Sequence, residues 1–148
     1  MAAYFFDSSA LAKLYHPEVG TPEMDKIVQT PGAQVRISRL TVVELPSVFA
    51  IKVRTRFISQ EDARLFVRQF QDDIVAQKFL VTAVREPEFV AVVRYAFDLR
   101  LRALDAIQIA VALRLRSQGL VDQFVAADKV LCEVAALESF AVLNPEHP

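Results

Sequence analysis

An α/β fold, with a mostly parallel sheet of about five strands flanked by helices, is what this sequence predicts, and three observations predict it. Short apolar runs alternate one by one with longer stretches of helical period, the order that puts helices on the faces of a parallel sheet. The composition is that of a packed globule, 53% apolar and 24% charged with only three glycines. No repeat, low-complexity tract or linker interrupts residues 1–148, which read as a single domain, long enough to bury about two thirds of its unfolded surface.

Residues 3–6 (AYFF) form an apolar run that stops at Asp7-Ser8-Ser9, the pattern of a buried strand feeding a helix over 10–15. Thr21-Pro22-Glu23 supplies an N-cap, a first-turn proline and an acidic first turn for a helix reaching about Val28. Pro31-Gly32 is a turn, and residues 33–38 (AQVRIS) alternate as a strand. Ser38 or Thr41 caps a helix running to about Arg56, with Pro46 near enough to its start that the first turn is expected to slip toward Leu45. Ser59-Gln60-Glu61-Asp62 resembles a capping box, and Ala63, Phe66, Val67, Phe70 and Ile74 then share one helix face. Residues 79–84 (FLVTAV) make a third strand. Helices follow over 87–99 and 104–117, the second stopped by Gly119. Residues 123–127 (QFVAA) are the fourth strand, and a helix over 129–139 and a strand over 141–144 end the chain.

Composition also bounds function. A net charge of −1 argues against a protein that coats duplex DNA non-specifically, so any nucleic-acid contact has to come from a local patch or be aided by cations. Cys132 is the single cysteine, which excludes an intrachain disulfide and fits a reducing compartment; its helical, apolar context reads as a buried small side chain. No basic leader precedes the first apolar run, and charges interrupt every apolar run before membrane-spanning length, so a cytoplasmic protein with no membrane contact is expected. A single Cys with His16 and His147 far apart offers no zinc spacing; His16 reads as a helix-end surface residue and His147 as part of a tail.

Acidic residues fall at one edge of this architecture. Asp7 directly follows the first strand and Asp128 the fourth, Glu44 lies early in the helix after the second, and Asp105 opens the helix that leads back into the fourth. In a parallel sheet these positions share the carboxyl edge, where ligands bind. Each has a plain alternative: Asp7, Asp105 and Asp128 as helix caps, Glu44 as a helix-surface residue. Their neighbours set them apart. Asp7 follows two phenylalanines, Glu44 sits among Val42, Val43 and Leu45, and Asp105 precedes AIQIAVAL, a helix apolar nearly all round. Carboxylates gathered in such surroundings lose hydration and repel each other, so they take up protons or a cation; an all-oxygen set suits Mg²⁺ or Mn²⁺.

The segments YFFDSSALAKLY, RLTVVELPSVF, LRALDAIQIAVAL and FVAADKVLCEVA resemble the four acidic motifs of PIN-domain ribonucleases, and more narrowly the VapC-type toxins of toxin–antitoxin pairs. The resemblance spans essentially the whole chain, in order. It implies a PIN-like three-layer α/β/α sandwich and a Mg²⁺- or Mn²⁺-dependent endoribonuclease. By position, Asp7 and Asp105 would be the principal metal ligands, Glu44 and Asp128 would complete the site directly or through water, and Ser9 would orient Asp7. The implied partners are an RNA substrate, a small cognate antitoxin lying in an apolar groove, and a second copy of the chain. Ala126 stands where a hydroxyl residue is common, Gln108 where histidine is frequent, and Pro46 after Glu44 is unusual.

Metal-activated water attacking a phosphodiester would leave a 5′-phosphate and a 3′-hydroxyl. Lys13, Arg39, Arg102 and Lys129 lie near the acidic edge and are candidates for RNA phosphates, with solvated surface charge as the alternative for each. The apolar helices over 45–56 and 61–78 hold more apolar surface than one core needs and suggest the partner groove. Other chemistries lack their residues. A haloacid-dehalogenase site needs a second Asp where Ser9 stands, a receiver needs an Asp after a middle strand that here ends TAVREP, and a serine hydrolase needs a G-x-S-x-G turn. A non-catalytic RNA- or protein-binding module of the same fold remains the alternative function.

Overall fold

The computed structural model describes residues 2–99 and 101–148. Five strands, β1 (Ala3–Phe6), β2 (Gln34–Ser38), β3 (Leu80–Thr82), β4 (Gln123–Val125) and β5 (Ala141–Leu143), form one sheet in the order β3-β2-β1-β4-β5. Every pairing among them is parallel, as in Tyr4 opposite Val35 and Phe5 opposite Phe124. The helices are α1 (Ser8–Leu11, continued by a 3₁₀ turn over Ala12–Leu14), α2 (Thr21–Gln29), α3 (Arg39–Arg54), α4 (Gln60–Val75), α5 (Glu86–Asp98), α6 (Ala103–Ser117) and α7 (Lys129–Leu137).

Alternation along β1 divides the core. Tyr4 and Phe6 join Leu11, Met24, Leu45, Phe49 and Phe70 beneath α1–α4, while Phe5 joins Phe124, Tyr95, Ile109 and Leu131 beneath α5–α7. The result is the three-layer arrangement with the sheet buried on both faces. Helix α6 is buried continuously from Ala106 to Ala112, consistent with its near-uniform apolar sequence. Among the described residues no helix is long and apolar enough to cross a membrane.

Two local expectations need correction. Helix α3 starts at Arg39, and Pro46 lies inside it instead of displacing its start. An interior proline forfeits the bond to the carbonyl four residues back and costs about 3 kcal/mol. Thr41, Leu45 and Phe49 lie one turn apart and are buried, and burying two such large side chains contributes about 3–6 kcal/mol, enough to carry the helix through. Thr21 does not cap α2. Gly20 does, at φ +93°, and the Thr21 hydroxyl donates to the Lys13 carbonyl (2.8 Å). A Cβ at Gly20 would come within 3.1 Å of the Pro145 backbone, so glycine serves both the left-handed conformation and the close approach of the C-terminal segment. His16 lies at the helix end but is only partly exposed, stacked on Phe66 at 6.0 Å and 3.0 Å from Lys52 Nζ.

Candidate active site

The chain leaves β1 toward β2 and β3 on one side, then returns to build β4 and β5 on the other, so the crevice at the carboxyl ends of β1 and β4 is a topological switch point. Asp7 sits in it. Its backbone N–H donates to the Val125 carbonyl (2.9 Å), and its side chain caps α1, Oδ2 accepting from Ser9 N–H (3.0 Å) and the Ser9 hydroxyl (2.6 Å). Ser9 Oγ in turn accepts from Ala127 N–H (3.0 Å), which ties α1 to the segment after β4. Asp128 caps α7, Oδ1 accepting from Leu131 N–H (2.9 Å).

Glu44 reaches the same crevice from α3. Its Oε1 accepts from Gln108 Nε2 (2.7 Å) and from the Ser8 hydroxyl (3.1 Å), and Gln108 also donates to Thr41 Oγ1 (2.8 Å). Asp105, in the first turn of α6, accepts from Arg102 Nε at 3.2 Å, and Arg102 Nη2 stands 3.7 Å from Asp128 Oδ2. In these contacts Asp7, Glu44 and Asp105 each use one carboxylate oxygen, Oδ2, Oε1 and Oδ2. Asp7 Oδ1, Glu44 Oε2 and Asp105 Oδ1 accept no hydrogen bond from the described residues.

The carboxyls share one field. Burial pushes Asp7 up from 3.8 to about 6; its Ser9 hydrogen bonds oppose the rise, and the charges of Glu44 and Asp105 add to it. Burial also raises Glu44, against the hydrogen bonds of Gln108 and Ser8 and with a contribution from Asp105. Asp105 is raised by burial against Arg102, with Asp128 adding. The Cys132 thiol, donating to the Ala126 carbonyl at 3.1 Å, rises to about 11 through burial and the nearby Asp128 and Asp7. It is half-buried, and the rise disfavours the thiolate that a nucleophile requires.

Whether this set fits a divalent cation is decided by donor chemistry. The donors are all oxygen, three are partly or fully buried, and burial disfavours the anionic form of each, which is the situation a hard cation relieves. They are not gathered into a ready-made ligand shell: among the described residues no three of His, Cys, Asp and Glu stand close enough together to hold a metal ion. The hydrogen bonds explain the spread, since Gln108 and Ser8 hold Glu44 while Arg102 holds Asp105 toward Asp128.

The candidate basic residues separate into two groups. Arg39, Arg102 and Lys129 sit at the starts of α3, α6 and α7, where the sheet's carboxyl edge lies, and Arg39 and Lys129 are exposed. Lys13 does not join them: it is buried, and its ammonium pairs with Glu146 (2.7 Å) and Glu18 (3.2 Å). The residues that sequence reasoning did not assign to the site are Ser8, Thr41 and Gln108, all buried. The signal for Gln108 was present: it is the only polar side chain in AIQIAVAL, one turn after Asp105 on the same helix face.

Beside the acids, a cleft of about 620 Å³ between α3 and the start of α6 has Glu44 and Asp105 in its wall with Val43, Val48 and Ile51. A second groove of similar volume runs between α3 and α4 over Phe49, Val53, Ala63 and Val67, rimmed by Arg54, Arg64 and Arg68.

No protein-family model and no curated protein sequence matches the chain. Solved structures do. The crystal structure of PAE2754 from Pyrobaculum aerophilum aligns over 98% of this chain and 85% of its own, with TM-score 0.65 and 23% identity. FitAcB from Neisseria gonorrhoeae aligns over 98% and 99%, with TM-score 0.65 and 17% identity. A toxin–antitoxin complex from Klebsiella pneumoniae aligns over 98% and 99%, with TM-score 0.61 and 15% identity. The chain therefore has a PIN-like fold, the architecture it shares with a chain of a toxin–antitoxin complex.

Proposed function

We propose that the chain is a Mg²⁺- or Mn²⁺-dependent endoribonuclease, a single cytoplasmic domain acting as the toxin of a toxin–antitoxin pair. What supports the reading is the placement of Asp7, Glu44, Asp105 and Asp128 around one crevice, near enough to feel one another's charge though not drawn into a ligand shell, with three carboxyls destabilised as anions chiefly by burial. Asp7 and Asp105 would hold the ion, through the oxygens their hydrogen bonds leave free, with Glu44 and Asp128 completing the set. When bound, the cation supplies a more acidic water and neutralises charge developing on the phosphate.

The chain's own groups do the rest. Ser9 fixes the Asp7 carboxyl, and Ser8 and Gln108 fix Glu44 by Oε1, so Oε2 is presented to accept a proton from the attacking water. Arg39, Arg102 and Lys129 surround the edge and suit RNA phosphates. The α3–α4 groove, with its apolar floor, suits a partner helix such as an antitoxin's. Phe89, Val90, Val93 and Phe97, exposed on one side of α5, suit a second copy of the chain.

The test is cleavage of RNA by the purified protein and its Asp7→Asn variant. Fragments bearing 5′-phosphate and 3′-hydroxyl ends, abolished by a chelator and by the substitution, are expected. Absence of cleavage by the wild type with Mg²⁺ and with Mn²⁺ would favour the alternative, a non-catalytic binding module.

A further inference from the structure

Arg102 is the one cationic side chain that the described residues place within ion-pair distance of the four acids. It occupies the cap position of α6 with extended backbone, φ −64° and ψ 153°, and its side chain makes no cap bond. It folds instead across the crevice, Nε 3.2 Å from Asp105 Oδ2 and Nη2 3.7 Å from Asp128 Oδ2, joining acids that stand at the starts of two different helices. Among the described residues, the hydrogen bonds to Asp7 and Glu44 come from neutral donors, on Ser9, Ser8 and Gln108.

The grip is loose. The Arg102 side chain is 81% exposed, and ion pairs so open to water are weak and easily exchanged. Its hold is on the carboxylates alone, the half-buried Asp105 chief among them, and a cation that takes over their charge lets the guanidinium leave. A divalent ion taken up through the free Asp105 Oδ1 competes for the charge of the carboxylate that Arg102 now holds by Oδ2. Once displaced, the guanidinium stands at the mouth of the crevice with five donors in a fork that matches phosphate.

We infer that Arg102 is the site's own exchangeable counter-ion: it balances Asp105 and Asp128 before metal arrives, yields to the divalent ion, and is thereby freed for the phosphate of the substrate. The inference rests on the nuclease reading and adds to it a coupling. Metal binding and RNA binding favour each other through one side chain, and the coupling is reciprocal.

The experiment is calorimetric titration of Mn²⁺ into the full-length wild type, Arg102→Ala and Arg102→Lys, with circular dichroism verifying the fold of each. Removing the competing charge is expected to tighten Mn²⁺ binding roughly five- to tenfold in Arg102→Ala, while Arg102→Lys stays near wild type. Binding of a 2′-O-methyl RNA oligonucleotide, followed by anisotropy, should weaken in Arg102→Ala with Mn²⁺ present. Mn²⁺ affinity that is unchanged or weaker in Arg102→Ala, while the wild type binds, overturns the counter-ion role and leaves the nuclease reading standing. Mn²⁺ binding by neither protein overturns both.

Discussion

Replacing Asp7 by Asn should stabilise the metal-free protein above pH 6, and the gain can be worked from the site. Asp7 is buried, and its carboxyl is pushed from 3.8 to about 6, chiefly by lost hydration. Between those values the folded chain keeps a proton that the unfolded chain has released, so stability falls as pH rises through the window and is level above it. The displacement corresponds to about 3 kcal/mol. Asn keeps the size of the side chain and an oxygen for the two Ser9 donors. Asp7→Asn should then exceed the wild type by about 2–3 kcal/mol at pH 7.5, or roughly 4–12 °C in Tm for a domain this size. Urea unfolding of both proteins from pH 4 to 8 with a chelator present measures it. The difference between them should grow from near zero at pH 4 and flatten above pH 6. A difference that is constant across this range, or that favours the wild type at pH 7.5, would refute the reasoning.

Other regions give sharper stability signals. Arg114→Ala should cost about 3–5 kcal/mol in urea unfolding, because it strands Glu88, 3% exposed and bound to Arg114 Nε at 2.7 Å, between α5 and α6; Glu88→Gln in the same chain should recover part of the loss. Lys13→Met should lower stability by about 1–3 kcal/mol, discounted because Glu18 and Glu146 remain about a third exposed, while leaving RNA affinity unchanged by anisotropy. Arg64→Glu with Arg68→Glu, both exposed on the α4 rim, should leave Tm and RNA cleavage unchanged but weaken capture of an acidic amphipathic antitoxin helix at least roughly tenfold by surface plasmon resonance.

Most of the fold was legible because its signals are local. The unbroken apolar run AYFF and the nearly all-apolar helix after Asp105 report directly that a strand or helix is covered on more than one side. Strand order is not local, and the position of β1 at the centre emerges only from pairing with both β2 and β4. The four acids were legible as strand-end and helix-start residues. Their hydrogen-bond partners were not: Gln108 meets Glu44 across 64 residues of chain, and Lys13 meets Glu146 across 133. Lys13 misled because charge next to an acidic motif resembles a surface patch, whereas its two carboxylate partners draw it inside. Pro46 misled because its local cost is outweighed by the buried face of α3 on either side of it.

Anomalous diffraction from crystals grown with Mn²⁺ tests most directly whether these carboxylates gather around one divalent ion. An anomalous peak in contact with Asp7 and Asp105, absent from Asp7→Asn crystals, is the expected result. Mn²⁺ bound only elsewhere on the surface, or a peak that survives the substitution undiminished, would contradict it.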